Sequence, residues 1–359
     1  CKTLGLVLLA LLILVVLYVV YVFASYHRIG DQSLSVMHCN SRDAVPMEDA
    51  VETGAVYRVS SANAGFGAYS ADYSFFMDGG KSSWAKSKES VESDIQGAGE
   101  LVASKDPDFA LIQEVDLNST RSYHVDEYSI LKDTIPSYNT VFAQNYDSAF
   151  LFYPFTQPHG RSRSGLALFS KYPVTDSLRR SFPISTSFSK FFDLDRCYSI
   201  SRVPVDNGKE LAIFLLHMSA YGNSDAIREA QIRMLSADME KEYEAGNYVL
   251  CGGDFNHDLK ASEKDAENCE SWAYPFPREE LPEHFSFCLD NLSDSEKDAL
   301  WDSARNADME YVPGVTYTVT LDGFITSDNI ECTEYENVNT GYSYSDHDPV
   351  YMKFKLLDH

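Results

Sequence analysis

Basic residues are scarce in this sequence. Its 359 residues hold 29 Lys and Arg against 54 Asp and Glu, a formal net charge of −25. A surface that negative repels nucleic-acid phosphates and anionic lipid over long range. No run of lysines or arginines marks a groove for a polyanion. A phosphate-bearing ligand therefore has to be drawn locally, by a metal ion or a small basic patch. Cysteine is sparse as well. The seven are scattered at Cys1, Cys39, Cys197, Cys251, Cys269, Cys288 and Cys332, an odd number with no CxxC spacing. That pattern excludes a zinc knuckle and a dense disulfide framework, leaving room for one bridge in the C-terminal third. Cys251 stands in an apolar strand end and reads as a small core residue. Internal repeats are absent too.

What is present begins with a long apolar run. Leu4 to Ala24 is 21 residues without a charge, enough to cross a hydrocarbon core of about 30 Å as a helix. The apolar region of a cleaved signal peptide is shorter, about 7 to 15 residues, so residues 1–25 read as a single membrane anchor. A chain that starts at Cys1 rather than Met is expected to lack its extreme N-terminus. Lys2 before the span and Arg28 after it set no orientation. A large acidic domain behind an N-terminal anchor suggests export, with the catalytic part outside the cytoplasm. Residues 26–56 lack periodicity and read as a linker, either a tether or a peripheral wrap. Residues 57–357 form the remaining domain, in which 44% hydrophobic and 23% charged residues over the whole chain allow a sizeable core.

Within that domain, strand patterns alternate with helix patterns. "VYRVSSAN" reads as a strand ending at Asn63, and "PDFALIQEVD" as one ending on Glu114. Between them, Val91, Ile95, Ala98 and Val102 recur at helical spacing. "ELAIFLLHMSAYG" is a strand ending on His217. A helix follows, with Ser224 as N-cap, Ile227, Met234, Leu235 and Met239 inward, and Gly246 at its end. "YVL" then leads into "CGGDFNHD", where Asp254 and Asn256 stand one residue apart behind two glycines. Residues i and i+2 of a strand share a face, so both can point into one pocket. The pattern closes with "LDGFITS" and "SDHDPVYMKFKL".

One feature recurs along this alternation. Asn63, Glu114, His217, Asp254 with Asn256, and Asp346 with His347 all stand at the edge of an apolar strand. A single polar residue there is ordinarily a turn or a cap. Together these supply carboxylates for a hard divalent cation, amides to orient oxygens and imidazoles to donate to a phosphate.

On these residues the chain resembles the endonuclease/exonuclease/phosphatase superfamily, the metal-dependent phosphoesterases of the DNase I-like fold, in a membrane-anchored, bacterial-type form. The pieces in order are "SSANAGFG", "LIQEVD", "GLALFSKYPV", "LLHMSA", "CGGDFNHD", "LDGFITS" and "YSDHDPV", covering Tyr57 to Leu356. The resemblance implies an α/β fold, a four-layer α/β/β/α sandwich of two mixed sheets behind the N-terminal helix, with the site at one end. It implies Glu114 as the main ligand of Mg2+ (or Mn2+), with Asn63 and Asp346 beside the ion. By the same resemblance Asp254 is the base or anchor for the attacking water, and Asn256 and His217 bind non-bridging phosphate oxygens. His347 would donate to the phosphoryl group, held by Asp322. Thr320-Leu321 and Gly323-Phe324 around Asp322 depart from the family's usual neighbours. His257, Asp258 and Asp348 alternate to the other face and are supporting residues.

Two aromatic-rich insertions, "GAYSADYSFFMDGGKSSW" and "FAQNYDSAFLFYPFTQPHGRSRSG", are expected at the pocket rim. Their aromatics suit stacking on bases or sugars, or dipping into lipid. Arg161 and Arg163 are the candidate secondary phosphate contacts. Three functions stay open. One is an anchored, monomeric hydrolase of a small or lipid-linked phosphoester. The others are an anchored nuclease acting on DNA or RNA, and a non-catalytic binding module on the same fold.

Overall fold

The computed structural model describes residues 2–25, 28–38, 49–135, 139–184, 195–220, 225–261 and 272–358. Helix α1, Lys2–Ser25, carries the long apolar run, with almost every side chain exposed. By length and composition it can cross a membrane. Two short strands follow, β1 (Gln32–Ser33) and β2 (Val36–Met37). Then come β3 (Val56–Asn63), α2 (Lys88–Ser104), β4 (Phe109–Asp116), α3 (Glu127–Thr134), β5 (Asn139–Asp147) and β6 (Arg163–Ser170). The second half runs β7 (Asp176–Ser181), β8 (Cys197–Pro204), β9 (Glu210–His217), α4 (Asp225–Glu244) and β10 (Tyr248–Asp254). It ends with β11 (Phe285–Phe287), α5 (Asp294–Ala299), β12 (Ala304–Arg305), β13 (Thr318–Val319), β14 (Asp322–Ser327), β15 (Ile330–Asn337) and β16 (Val350–Leu356).

Among the described residues these strands form two seven-stranded mixed sheets, ordered β1-β7-β8-β9-β10-β14-β11 and β15-β16-β3-β4-β6-β5-β2. Each sheet has one parallel pair, β9 with β10 and β3 with β4. The segment ahead of the domain supplies an edge to each sheet, since β1 pairs with β7 and β2 with β5.

Strand alternation explains the layering. In β4, Phe109 and Leu111 face the other sheet, while Ala110 and Ile112 lie under α2 and α3 with Val91, Ile95 and Leu131. In β9, Leu211, Ile213 and Leu215 face inward, and Ala212, Phe214 and Leu216 pack under α4 against Ile232, Leu235 and Met239. Both faces of each central strand are therefore apolar, as a four-layer α/β/β/α sandwich requires. Burying one such side chain stabilises by about 1.5–3 kcal/mol, so these two faces dominate the fold.

Some local expectations shift. In α2 the inward position is Gly99 rather than the half-buried Ala98. In α4 Ile232 replaces Ile227 in the core, and Ser224 lies outside the described residues. The strand expected to end on Glu114 continues to Asp116. Cys197, Cys251, Cys288 and Cys332 are free thiols, with Cys288 and Cys332 side by side.

Candidate active site

Parity carries the site. Asn63 shares a face with Tyr57 and Val59, His217 with Ile213 and Leu215, Asp254 with Tyr248 and Leu250, and Asp322 with Phe324; all these apolar partners belong to the core between the sheets. At one end of the sandwich the inward rows thus change from apolar to polar. The register aligns them: Asp254 lies opposite His217 on one side and opposite Asp322 on the other.

Glu114 breaks this rule. By alternation it belongs with Ala110 and Ile112, under the helices. A β-bulge intervenes: Ile112 pairs with Ala167 and Val115 with Gly165, so two β4 residues oppose one residue of β6. Glu114 takes a left-handed conformation, φ 54°, at a cost on the order of 1–3 kcal/mol for a non-glycine residue. The bulge re-aims its carboxylate into the cleft, where Asn63 Nδ2 lies 3.5 Å from Oε1.

Asp254 is the hub. Its Oδ1 accepts the backbone N–H of Asn256 at 2.8 Å, and its Oδ2 accepts from Asn63 Nδ2 at 3.1 Å. His217 Nε2 lies 3.5 Å and His347 Nε2 3.8 Å from the same Oδ2. Gly253 makes this strand end possible. Its φ is 148°, and a Cβ there would sit 2.1 Å from the Leu216 carbonyl oxygen. Asn256 Nδ2 donates to the Met218 carbonyl at 2.9 Å, which fixes the amide at the cleft wall.

His347 precedes β16 on a loop. Its Nδ1 donates to Asp322 Oδ2 at 2.7 Å, and Ser303 Oγ donates to the same oxygen at 2.8 Å. Burial works against an imidazolium here, but the carboxylates of Asp322 and Asp254 outweigh it and hold His347 well above its usual range. His217 is the opposite case. Burial, with Arg196 and His347 nearby, holds it well below its usual range. Arg196 donates to His217 Nε2 at 2.8 Å. Guanidinium has no acceptor, so His217 is neutral with its proton on Nδ1.

The carboxylates show strain of their own. Burial pushes Asp254 up to about 7, with His347 opposing, and Asp346 up to about 6, with His347 and Arg305 opposing and Glu114 adding. Asp78, from the first aromatic insertion, is pushed up to about 7 by burial and by the charges of Asp346 and Glu114. Glu114, Asp346 and Asp78 all line the same cleft. Their mutual repulsion is what a hard divalent cation, which takes oxygen donors, would relieve. Asp254, Asp322 and His347 also place ligand-type atoms within 4.8 Å of one another. Because Asp322 and His347 are bonded to each other, that trio is a lone carboxylate beside a carboxylate–imidazole pair rather than a cation cage.

The cleft has a volume of about 480 Å³. Both aromatic insertions reach it, the first through Tyr69, Met77 and Asp78, the second through Ser148, Leu151 and His159. Arg161 and Arg163 do not line it. Arg161 forms a two-pronged pair with Asp147, and Arg163 approaches the same carboxylate at 3.5 Å. Among the described residues, three other arginines do line it. Arg121 is spent on Asp116, and Arg305 on the carbonyls of Tyr69, Ser70 and Tyr73. Sequence reasoning missed Asp78 and, just ahead of β8, Arg196. Its signal was a lone basic residue before a strand that pairs with β9, where Cys197 lies opposite His217.

Comparison with known proteins follows the same lines. Residues 61–285 match the model of the Endonuclease/Exonuclease/phosphatase family. The match contains Asn63, Glu114, His217, Asp254 and Asn256; the fold brings Asp322, Asp346 and His347 to them from beyond it. A curated relative, the inositol phosphosphingolipids phospholipase C of Schizosaccharomyces pombe, is 24% identical over 208 residues, 54% of this chain and 45% of the relative. The chain thus spans about half the length of that relative. Among solved structures, an endonuclease/exonuclease/phosphatase from Beutenbergia cavernae has a TM-score of 0.56 at 13% identity, over 84% of this chain and 72% of its own. A mannosyl-6-phosphatase from Bacteroides thetaiotaomicron has a TM-score of 0.53 at 17% identity, over 83% and 99%. These likenesses show the fold.

Proposed function

The chain belongs to the endonuclease/exonuclease/phosphatase family, and on that premise we propose that it hydrolyses phosphoric ester bonds, by a metal-dependent attack of water on a small or lipid-linked phosphoester. The observation that carries the reading is Asp254 Oδ2. One buried carboxylate oxygen faces two imidazoles and an amide at the open end of the sandwich.

Asp254 accepts the proton of the attacking water as the new P–O bond forms and the ester P–O bond breaks. His347 presents Nε2 to the phosphoryl oxygens, where negative charge grows in the transition state. Asp322 keeps the Nδ1 proton in place and so fixes which nitrogen faces substrate. Asn256 and Arg196 surround the non-bridging oxygens; Arg196 can turn from His217 to an incoming anion, which frees His217 Nε2 to take the ring proton from Nδ1 and donate to the same oxygens. Glu114, with Asn63 and Asp346 beside it, would hold Mg2+, or Mn2+ in its stead. Bound there, the ion would lend positive charge to the phosphoryl group.

Substrate size follows from charge. Of the arginines lining the cleft, Arg121 and Arg305 are already committed, so the described cleft offers little to a long polyanion. A protein of net charge −25 that acts on a compact ester needs only the cation, two histidines and Arg196. The test is a panel with Mg2+: plasmid DNA, a generic phosphodiester, a sugar phosphate and phospholipid vesicles. The reading expects a small or lipid-borne ester to be cleaved fastest, with modest dependence on salt. Efficient plasmid nicking that collapses as salt rises would favour a nuclease.

A further inference from the structure

The rim of the cleft carries an apolar surface that the reaction does not use. Phe150, Phe152, Tyr153 and Phe155 are 40%, 44%, 59% and 76% exposed, and Met77 is 58% exposed. Such residues in one patch mark an interaction surface. They are contiguous. Phe155 touches Phe152 and Tyr153 at ring-centre distances of 5.5 and 5.7 Å, and Tyr153 reaches Phe76, beside Met77, at 6.0 Å. The patch also borders the cleft directly, since Leu151 and Met77 line it.

Its other edge meets the apolar N-terminal helix. Tyr18 packs edge-on against Phe152 at 4.6 Å, and its hydroxyl donates to the Phe150 carbonyl at 3.1 Å. Tyr18 lies seven residues before the helix ends at Ser25, about 10 Å along its axis. That is the depth at which apolar faces settle into the headgroup–acyl boundary, where Tyr is enriched. The chain leaves little slack. Gln32 already pairs in a sheet, so from Ser25 the connection reaches at most about 25 Å. Arg28 shortens it further, by a hydrogen bond to the Phe182 carbonyl and an ion pair with Asp195 at 3.5 Å.

We propose that the 150–155 loop is a bilayer-docking surface, which inserts its aromatics beside the N-terminal helix and opens the cleft onto the headgroup plane. The occupant is a lipid bilayer, because the patch is continuous with the segment long and apolar enough to span one. Resting on the phosphoesterase reading above, this names the substrate class: the phosphoester headgroup of a membrane lipid. With a net charge of −25, the domain should dock on zwitterionic lipid in preference to anionic lipid.

The test uses the full chain in phosphatidylcholine vesicles with brominated acyl chains. Phe155→Trp is compared with Leu357→Trp, which lies just beyond β16 at the opposite end of the sandwich and is 37% exposed. The native fluorescence of the three tryptophans is subtracted. Strong quenching at position 155 and little at 357 is the expected result. A second arm replaces Phe152, Tyr153 and Phe155 together by Ser. The rate on a vesicle-borne diester, relative to a water-soluble one, should fall about tenfold as apolar contact is lost. Equal quenching at the two positions, as for a loop that docks a protein instead, overturns the proposal, and so does an unchanged ratio of rates. Quenching at 155 without any hydrolysis would overturn the phosphoesterase reading and leave the docking surface standing.

Discussion

His347 Nδ1 donates to Asp322 Oδ2 at 2.7 Å, which leaves Nε2 as the ring nitrogen that faces Asp254, 3.8 Å away. The pair joins a loop residue to a strand residue, so its geometry depends on the whole end of the sandwich. Asp322→Asn should keep the fold and lower kcat by on the order of 10²-fold, with little change in KM, because the ring loses its charge partner and its fixed proton. Steady-state kinetics on a soluble phosphodiester check this. A variant with wild-type kcat would remove Asp322 from the site.

Glu114 is the carboxylate for which the backbone bends. Glu114→Gln keeps the size of the side chain and removes its charge, so the Mg2+ concentration for half-maximal activity should rise about tenfold or more. Calorimetric titration of Mg2+ should show the same weakening without substrate. Overlapping titrations of variant and parent would move the metal elsewhere.

These two residues also show what can be read from sequence. Asp254 sits in phase with Leu250, so strand parity places it inward at a strand end; Asp322, which the family resemblance supplied, is in phase with Phe324. Glu114 is out of phase: its place at the edge of an apolar strand and its family motif pointed to the cleft, but alternation from Ile112 did not. The bulge that brings it there depends on pairing with β6, fifty residues on, which no local pattern records. Arg196 and Asp78 were missed for a related reason. They come from a strand start and an irregular insertion, where no periodicity tells a side chain's direction. The layers were legible because apolar alternation is local; the arginines at the site were not, because Arg161 and Arg163 look free until Asp147 is seen beside them.

Arg196 should matter to substrate binding. Arg196→Gln removes the donor to His217 Nε2 and, on the proposed reading, a cation that meets the non-bridging oxygens. KM should rise about tenfold, with a smaller change in kcat, as for loss of a charge-assisted contact. The same substitution lifts one of the charges that hold His217 neutral. Its imidazole should titrate at higher pH by nuclear magnetic resonance. An unchanged KM and an unchanged titration would contradict the assignment.

His257 offers a stability prediction away from catalysis. Burial pulls it down to about 4, and its Nδ1 lies 2.6 Å from the Phe255 carbonyl oxygen. The unfolded chain binds the proton near pH 6.5 and the folded chain only near pH 4. Stability should therefore fall as pH drops through that window, by on the order of 2–3 kcal/mol from this residue. His257→Gln should lose less stability than the parent between pH 7 and about pH 4.5 in urea titrations. Parallel losses would show that His257 is not held neutral.

The central claim is that one cleft hydrolyses phosphoesters with Asp254 as its base and a divalent cation beside it. The direct measurement is release of p-nitrophenol from bis(p-nitrophenyl) phosphate by the full chain, titrated with Mg2+, for the parent and Asp254→Asn. The account predicts activity that vanishes with chelator and returns with Mg2+. In the variant the rate should fall by on the order of 10²- to 10⁴-fold, with thermal stability unchanged or raised because a buried carboxylate is replaced by a neutral amide. Activity that ignores chelator, or a folded Asp254→Asn variant within about tenfold of the parent, would contradict it.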